Sequence, residues 1–107
     1  MKKIDDYTIK TLDEKHTADG IHGNDPVYDS SFETVKKIVN EAKQSPEYAD
    51  NANTGLVGTV EEMYKAIKAI EDVRKGNYDP EIIEQYIRES LKKWAKDYNE
   101  IVDEMKQ

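Results

Sequence analysis

The run DPEIIEQYIRESLKKWAKDYNEIVDEMKQ, from Asp79 to Gln107, has the periodicity of one long helix. Asp79 is a good N-cap, and Pro80 suits the first helical position, where its missing N–H costs nothing. Glu81 and Glu84 place negative charge in the first turns, where the helix dipole favours it. Ile83, Ile87, Leu91, Trp94, Tyr98, Ile101 and Met105 recur at steps of three and four, a coiled-coil-like seam. Tyr86, Ala95 and Val102 widen that seam into a face broad enough for a globular core. Glu84 before Arg88 and Glu89 before Lys93 read as i, i+4 pairs on the opposite, solvent-facing side. At 1.5 Å per residue the helix spans roughly 40 Å.

Immediately upstream, Thr59 to Lys75 forms a second amphipathic pattern. Thr59 and Glu62 match a capping box, Val60, Met63, Ile67 and Ile70 supply the apolar stripe, and Gly76 supplies the stop. Only Gly76-Asn77-Tyr78 separates the two helices, so the sequence predicts an antiparallel hairpin. The second helix is the shorter, roughly 25 Å. The surplus of the long helix must be covered by the first helix, by the N-terminal arm or by another molecule.

A third helix is predicted over Ser30–Gln44, with Ser30 and Glu33 as a capping box and Phe32, Val35, Ile38, Val39 and Ala42 as its stripe. Ser45-Pro46-Glu47 either ends it or begins a short fourth helical turn. Asp50 to Gly58 has loop composition. Residues 1–29 read as an irregular N-terminal arm. Tyr7, Ile9 and Leu12 hint at a short extended piece, and DEKHTADGIHGNDP is punctuated by Gly20, Gly23 and Pro26. The predicted fold is therefore all-α: a small bundle of three main helices, with a short fourth at Pro46 as an option and an irregular arm over 1–29. Residues 30–107 form the helical bundle domain of a single-domain chain.

The chain has 107 residues, 36% hydrophobic and 36% charged, with a formal net charge of −7. Such a surface repels nucleic acid and anionic membranes and suits a basic protein partner. There is no cysteine, which removes disulfides, thiolate chemistry and cysteine-based zinc sites. No apolar run approaches the ~20 residues that span a bilayer, and Asp5 and Asp6 stand where a signal peptide needs an apolar run. A cytoplasmic location is the expectation.

Two stretches invite a metal reading, and neither carries it. His16 and His22 share a loop with Asp13, Glu14, Asp19 and Asp25, but their spacing fits no metal motif. Asp50 to Glu61 places Asp50, Gly55 and Glu61 at EF-hand positions, yet Ala52 and Thr54 stand where oxygen ligands belong. Ser30 and Ser31 are better read as caps than as nucleophiles, and no phosphate-binding loop or cofactor motif is present. The expectation is a non-enzymatic chain with no cofactor and no metal.

What remains is charge and aromatic surface. Seven tyrosines, one tryptophan and one phenylalanine are present. Trp94 and Tyr98 are expected in the core. Tyr28, Tyr48 and Tyr78 fall in loops or at helix ends, where they are available to a partner. The most concentrated exposed acids are Asp5, Asp6, Asp13, Glu14 and Asp19 in the arm, and Glu100, Asp103 and Glu104 near the C-terminus. The sequence points to a stoichiometric binder that covers a basic surface of another protein, with the general character of immunity proteins, antitoxins or phage inhibitors. The alternative is an assembly protein that dimerises through the long helix; monomer and homodimer are both open.

Overall fold

The structure is a computed structural model and describes residues 1–12, 26–51, 53–76 and 80–105; for residues 26, 28 and 80–87 it describes the backbone only. Among the described residues the chain is all-α: α1 (Asp6–Thr11), α2 (Pro26–Lys43), α3 (Pro46–Ala49), α4 (Thr54–Arg74) and α5 (Pro80–Met105). The long pair α4 and α5 forms the predicted hairpin, closed by Gly76 at φ +80°, a conformation that favours glycine. α2 packs against α4 and shares the core with both helices of the hairpin. Asp29, Lys36 and Lys43, each seven residues apart, pair with Arg74, Glu71 and Glu61 in that order. The descending order of partners means that α2 and α4 are antiparallel. The aromatic rings join this seam: the Arg74 guanidinium lies 4.7 Å from the Phe32 ring, and the Lys43 ammonium 3.8 Å from the Tyr64 ring.

The core runs through every helix except α3. Phe32, Val35 and Val39 of α2 meet Leu56, Val60, Met63 and Ile70 of α4 and Leu91, Ala95, Tyr98 and Val102 of α5. α3 is short but real: the Ser45 hydroxyl accepts the Tyr48 N–H at 3.3 Å as its N-cap.

Four expectations are corrected. The extended piece expected at Tyr7–Leu12 is helical. Asp5 caps α1, and Ile4, Ile9 and Leu12 are buried in the common core, so the first twelve residues are built into the fold. α2 begins at Pro26, because proline opens a helix as well as it breaks one. Ser30 therefore sits inside α2, where its carbonyl accepts the Thr34 hydroxyl at 2.9 Å. α4 begins at Thr54, where the Asn53 side chain accepts the Leu56 N–H at 3.0 Å. Gly55 and Gly58 are carried within the helix because Leu56 and Val60 are fully buried beside them. Thr54 to Glu61 is thus helix, which removes the calcium-loop geometry.

The fourth correction is the phase of α5. Among its described side chains, from Arg88 onward, the fully buried residues are Arg88, Leu91, Ala95, Tyr98 and Val102, while Trp94, Ile101 and Met105 are half-buried flanks. The period matches the expected one, but the buried stripe is turned by roughly 50°, about half of one residue's rotation. Arg88, read as an exposed partner of Glu84, faces the interior at 2% exposure, with Nε and Nη2 of its guanidinium buried along with the stem. Tyr98 meets the expectation of a core aromatic, and Trp94 meets it only in part. The surplus length of α5 is covered from within. The N-terminal residues lie along its last turns, and the longer α4 reaches Ile101 at Gly55.

Candidate protein-binding surface

The site is built where the N-terminal residues cross the last turns of α5. Asn99 of α5 holds Ile4 with both halves of its amide. Its Oδ1 accepts the Ile4 N–H at 2.8 Å, and its Nδ2 donates to the Ile4 carbonyl at 2.7 Å. One residue earlier, the Tyr98 hydroxyl donates to the Lys2 carbonyl at 2.6 Å. One turn later, the Lys3 ammonium pairs with the Asp103 carboxylate at 2.8 Å. Three successive residues of an otherwise extended segment are therefore fixed to one helix face, and Ile4 beneath them is 1% exposed.

This seam brings Asp5 and Asp6, two of the five acids predicted in the arm, to the end of the molecule that carries the acids of α5. Asp5 and Asp6 follow Ile4 on one side, and Glu100, Asp103 and Glu104 line the exposed side of α5 on the other. Their roles differ. Asp5 is a cap: its carboxylate accepts the Thr8 N–H at 2.7 Å and the Thr8 hydroxyl at 2.9 Å. Those bonds hold its pKa below the usual carboxylate value. Asp103 is neutralised by Lys3. Asp6, Glu100 and Glu104 are exposed. The last turn of α5 contains no basic residue, so the negative charge there opposes the helix dipole, which disfavours each exposed acid by ~0.3–1 kcal/mol.

Beside Asp6 stands Tyr7, 65% exposed and the single large hydrophobic residue so exposed among the described residues. Sequence reasoning gave Tyr7 to an extended piece and missed it. Once Ile9 and Leu12 are recognised as one helical stripe, Tyr7 falls on the opposite face of α1. Tyr48, by contrast, is not available. Its hydroxyl donates to Glu61, which also lies 3.8 Å from the Lys43 ammonium, so it pins α3 to α4. Asp13, Glu14, Asp19 and Tyr78 lie outside the described residues, as do His16 and His22, and Tyr28 is described only in its backbone on α2.

The assembled surface is one exposed aromatic ring, a rim of uncompensated carboxylates and a rigid backing. Its chemistry is that of recognising a cationic, partly apolar surface. Among the described residues no group of three or more His, Asp or Glu is placed to hold a metal ion, and no helix is long and apolar enough to cross a membrane. Comparison with protein-family models, with curated proteins and with solved structures finds no match for this chain.

Proposed function

We propose that this chain is a non-catalytic module that binds a basic surface of another protein in a fixed stoichiometry. The reading rests on one observation: Tyr7 is exposed on α1 at the end of the bundle where Asp6, Glu100 and Glu104 gather without cationic partners among the described residues. A net charge of −7 supports it by favouring steered encounter with a cationic partner. The immunity-protein, antitoxin or phage-inhibitor character expected from the sequence is one version of this role. The dimerisation alternative loses weight because Leu91 and Tyr98, two residues of the expected seam, are occupied in the chain's own core, while Trp94, Ile101 and Met105 are half-buried against it.

Affinity capture from the native host, followed by stopped-flow association with the captured protein, tests the reading. The on-rate is expected to fall steeply with salt through physiological strength, where the Debye length is ~8 Å. Reversal of Glu100 and Glu104 to Lys should lower the on-rate more than it raises the off-rate, because exposed rim charges act mainly on encounter. An on-rate indifferent to both salt and reversal would reduce the acidity to a solubility feature.

A further inference from the structure

We propose that the cavity between α2, α3 and the N-terminal residues seats a lysine side chain of the basic partner. The inference rests on the protein-binding reading above and names a second point of contact, separate from the Tyr7 surface. The cavity encloses about 340 Å³, at the lower end of the roughly 300–1,000 Å³ of small-ligand sites. Its floor is apolar and rigid: Ile38, Ala42 and Tyr98 are all at least nine-tenths buried. Two carboxylates line it from different helices, Glu41 from α2 and Glu47 from α3. The one cationic side chain in the lining is that of Lys2, whose carbonyl is engaged by the Tyr98 hydroxyl.

Charge distinguishes this cavity from the ion-paired seam on the far side of α2. There, Glu61 and Glu71 each have a lysine within 4 Å, and Asp29 has Arg74. Glu41 and Glu47 have no such cation among the described residues. The negative field reaches the floor. The Tyr98 hydroxyl is pushed up to about 12, first by burial and then by the charge of Glu41. An apolar floor with two carboxylates above it matches a side chain with an aliphatic stem and a compact cationic head. An ammonium suits carboxylates that approach from two helices, since its three donors rotate freely, whereas a guanidinium demands one planar, bidentate face.

The test is a titration of ¹⁵N-labelled protein with Nα-acetyl-lysine N-methylamide, its neutral norleucine counterpart, the free diamine cadaverine and a heptalysine peptide. The lysine amide is expected to shift the amides of Glu41, Ala42, Glu47 and Tyr98 saturably at about millimolar concentration. The norleucine amide should leave them unmoved. The double variant Glu41→Gln/Glu47→Gln should weaken the lysine amide roughly tenfold or more with an unchanged thermal midpoint. Shifts spread over all surface acids, or shifts unaltered in the double variant, would overturn the inference. Cadaverine binding more tightly than the lysine amide would overturn it as well, making the cavity a free-amine site. Heptalysine separates this inference from the reading beneath it. If it perturbs Glu100 and Glu104 but not the cavity, the lysine seat fails and the protein-binding reading stands. If neither lysine probe moves any resonance, both fail.

Discussion

Asn99 supplies a donor and an acceptor to a single peptide residue, and both bonds are shielded from water. Replacing it with Ala strands the N–H and the carbonyl of Ile4, and each stranded group carries a desolvation cost of ~1–3 kcal/mol. Asn99→Ala should therefore destabilise by roughly 2–4 kcal/mol in urea unfolding. Lys3→Ala, which removes a pair with its side chains 39% and 53% exposed, should cost less than about 1 kcal/mol. Equal losses would mean that solvent reaches the amide pair. Tyr98 makes a prediction in pH. Its folded pKa is raised from 10.0 to about 12, so the neutral phenol is stabilised on folding. That contribution is complete below pH 10 and is lost as pH rises from 10 to 12, because the unfolded chain ionises first. Tyr98→Phe should be the less stable protein at pH 8, where the bond to Lys2 is lost, and the gap should close across pH 10–12. Urea midpoints measured at several pH values decide it. Asp5 has the opposite sign: its lowered pKa adds stability above its unfolded value of 3.8, lost as pH falls through the folded one.

At the scale of elements, the phase of α5 is the feature most open to test. Leu91 is common to the expected and observed stripes and is fully buried, so Leu91→Ala should cost about 2–5 kcal/mol. Ala95, expected at the edge of the apolar face, stands at its centre. At 0% exposure it has no room to grow, and Ala95→Leu should cost about 1–3 kcal/mol through overpacking. A loss in thermal unfolding below about half a kcal/mol would place Ala95 at the margin of the core instead. The phase was hard to read because a sequence ranks positions by side-chain size. Trp94 and Ile101 outweigh Ala95 and Val102 on that scale, whereas close helix approach selects the small residues. The helix pair itself was legible, since each helix carries enough turns to declare its period. α1 was not: six residues are too few to nucleate alone, and the pair Ile9 and Leu12, with Ile4 ahead of the helix, has meaning only when packed. The acids of the candidate surface were individually legible. Their convergence was not, because it depends on contacts between residues 95 to 100 apart.

For the molecule as a whole, a single core shared by four helices and extents of 41 × 26 × 18 Å describe an elongated bundle. With the α5 seam occupied internally, light scattering coupled to size exclusion should report a monomer at micromolar concentration. A stable dimer would return the assembly reading to contention. The Ile4–Asn99 pair also has a consequence in time. Chains are made N-terminus first, at roughly 5–20 residues per second. Ile4 leaves the synthesis machinery 95 residues ahead of its partner, so its backbone waits on the order of 5–20 s for Asn99 to be made. Over that interval α1 can already meet α2, as Thr11 does with Ser31, but the Ile4 backbone lacks its native partner, and the α4–α5 hairpin, which needs only neighbours, has not yet been completed. Closure of the shared core is thus a late event in the synthesis of this chain.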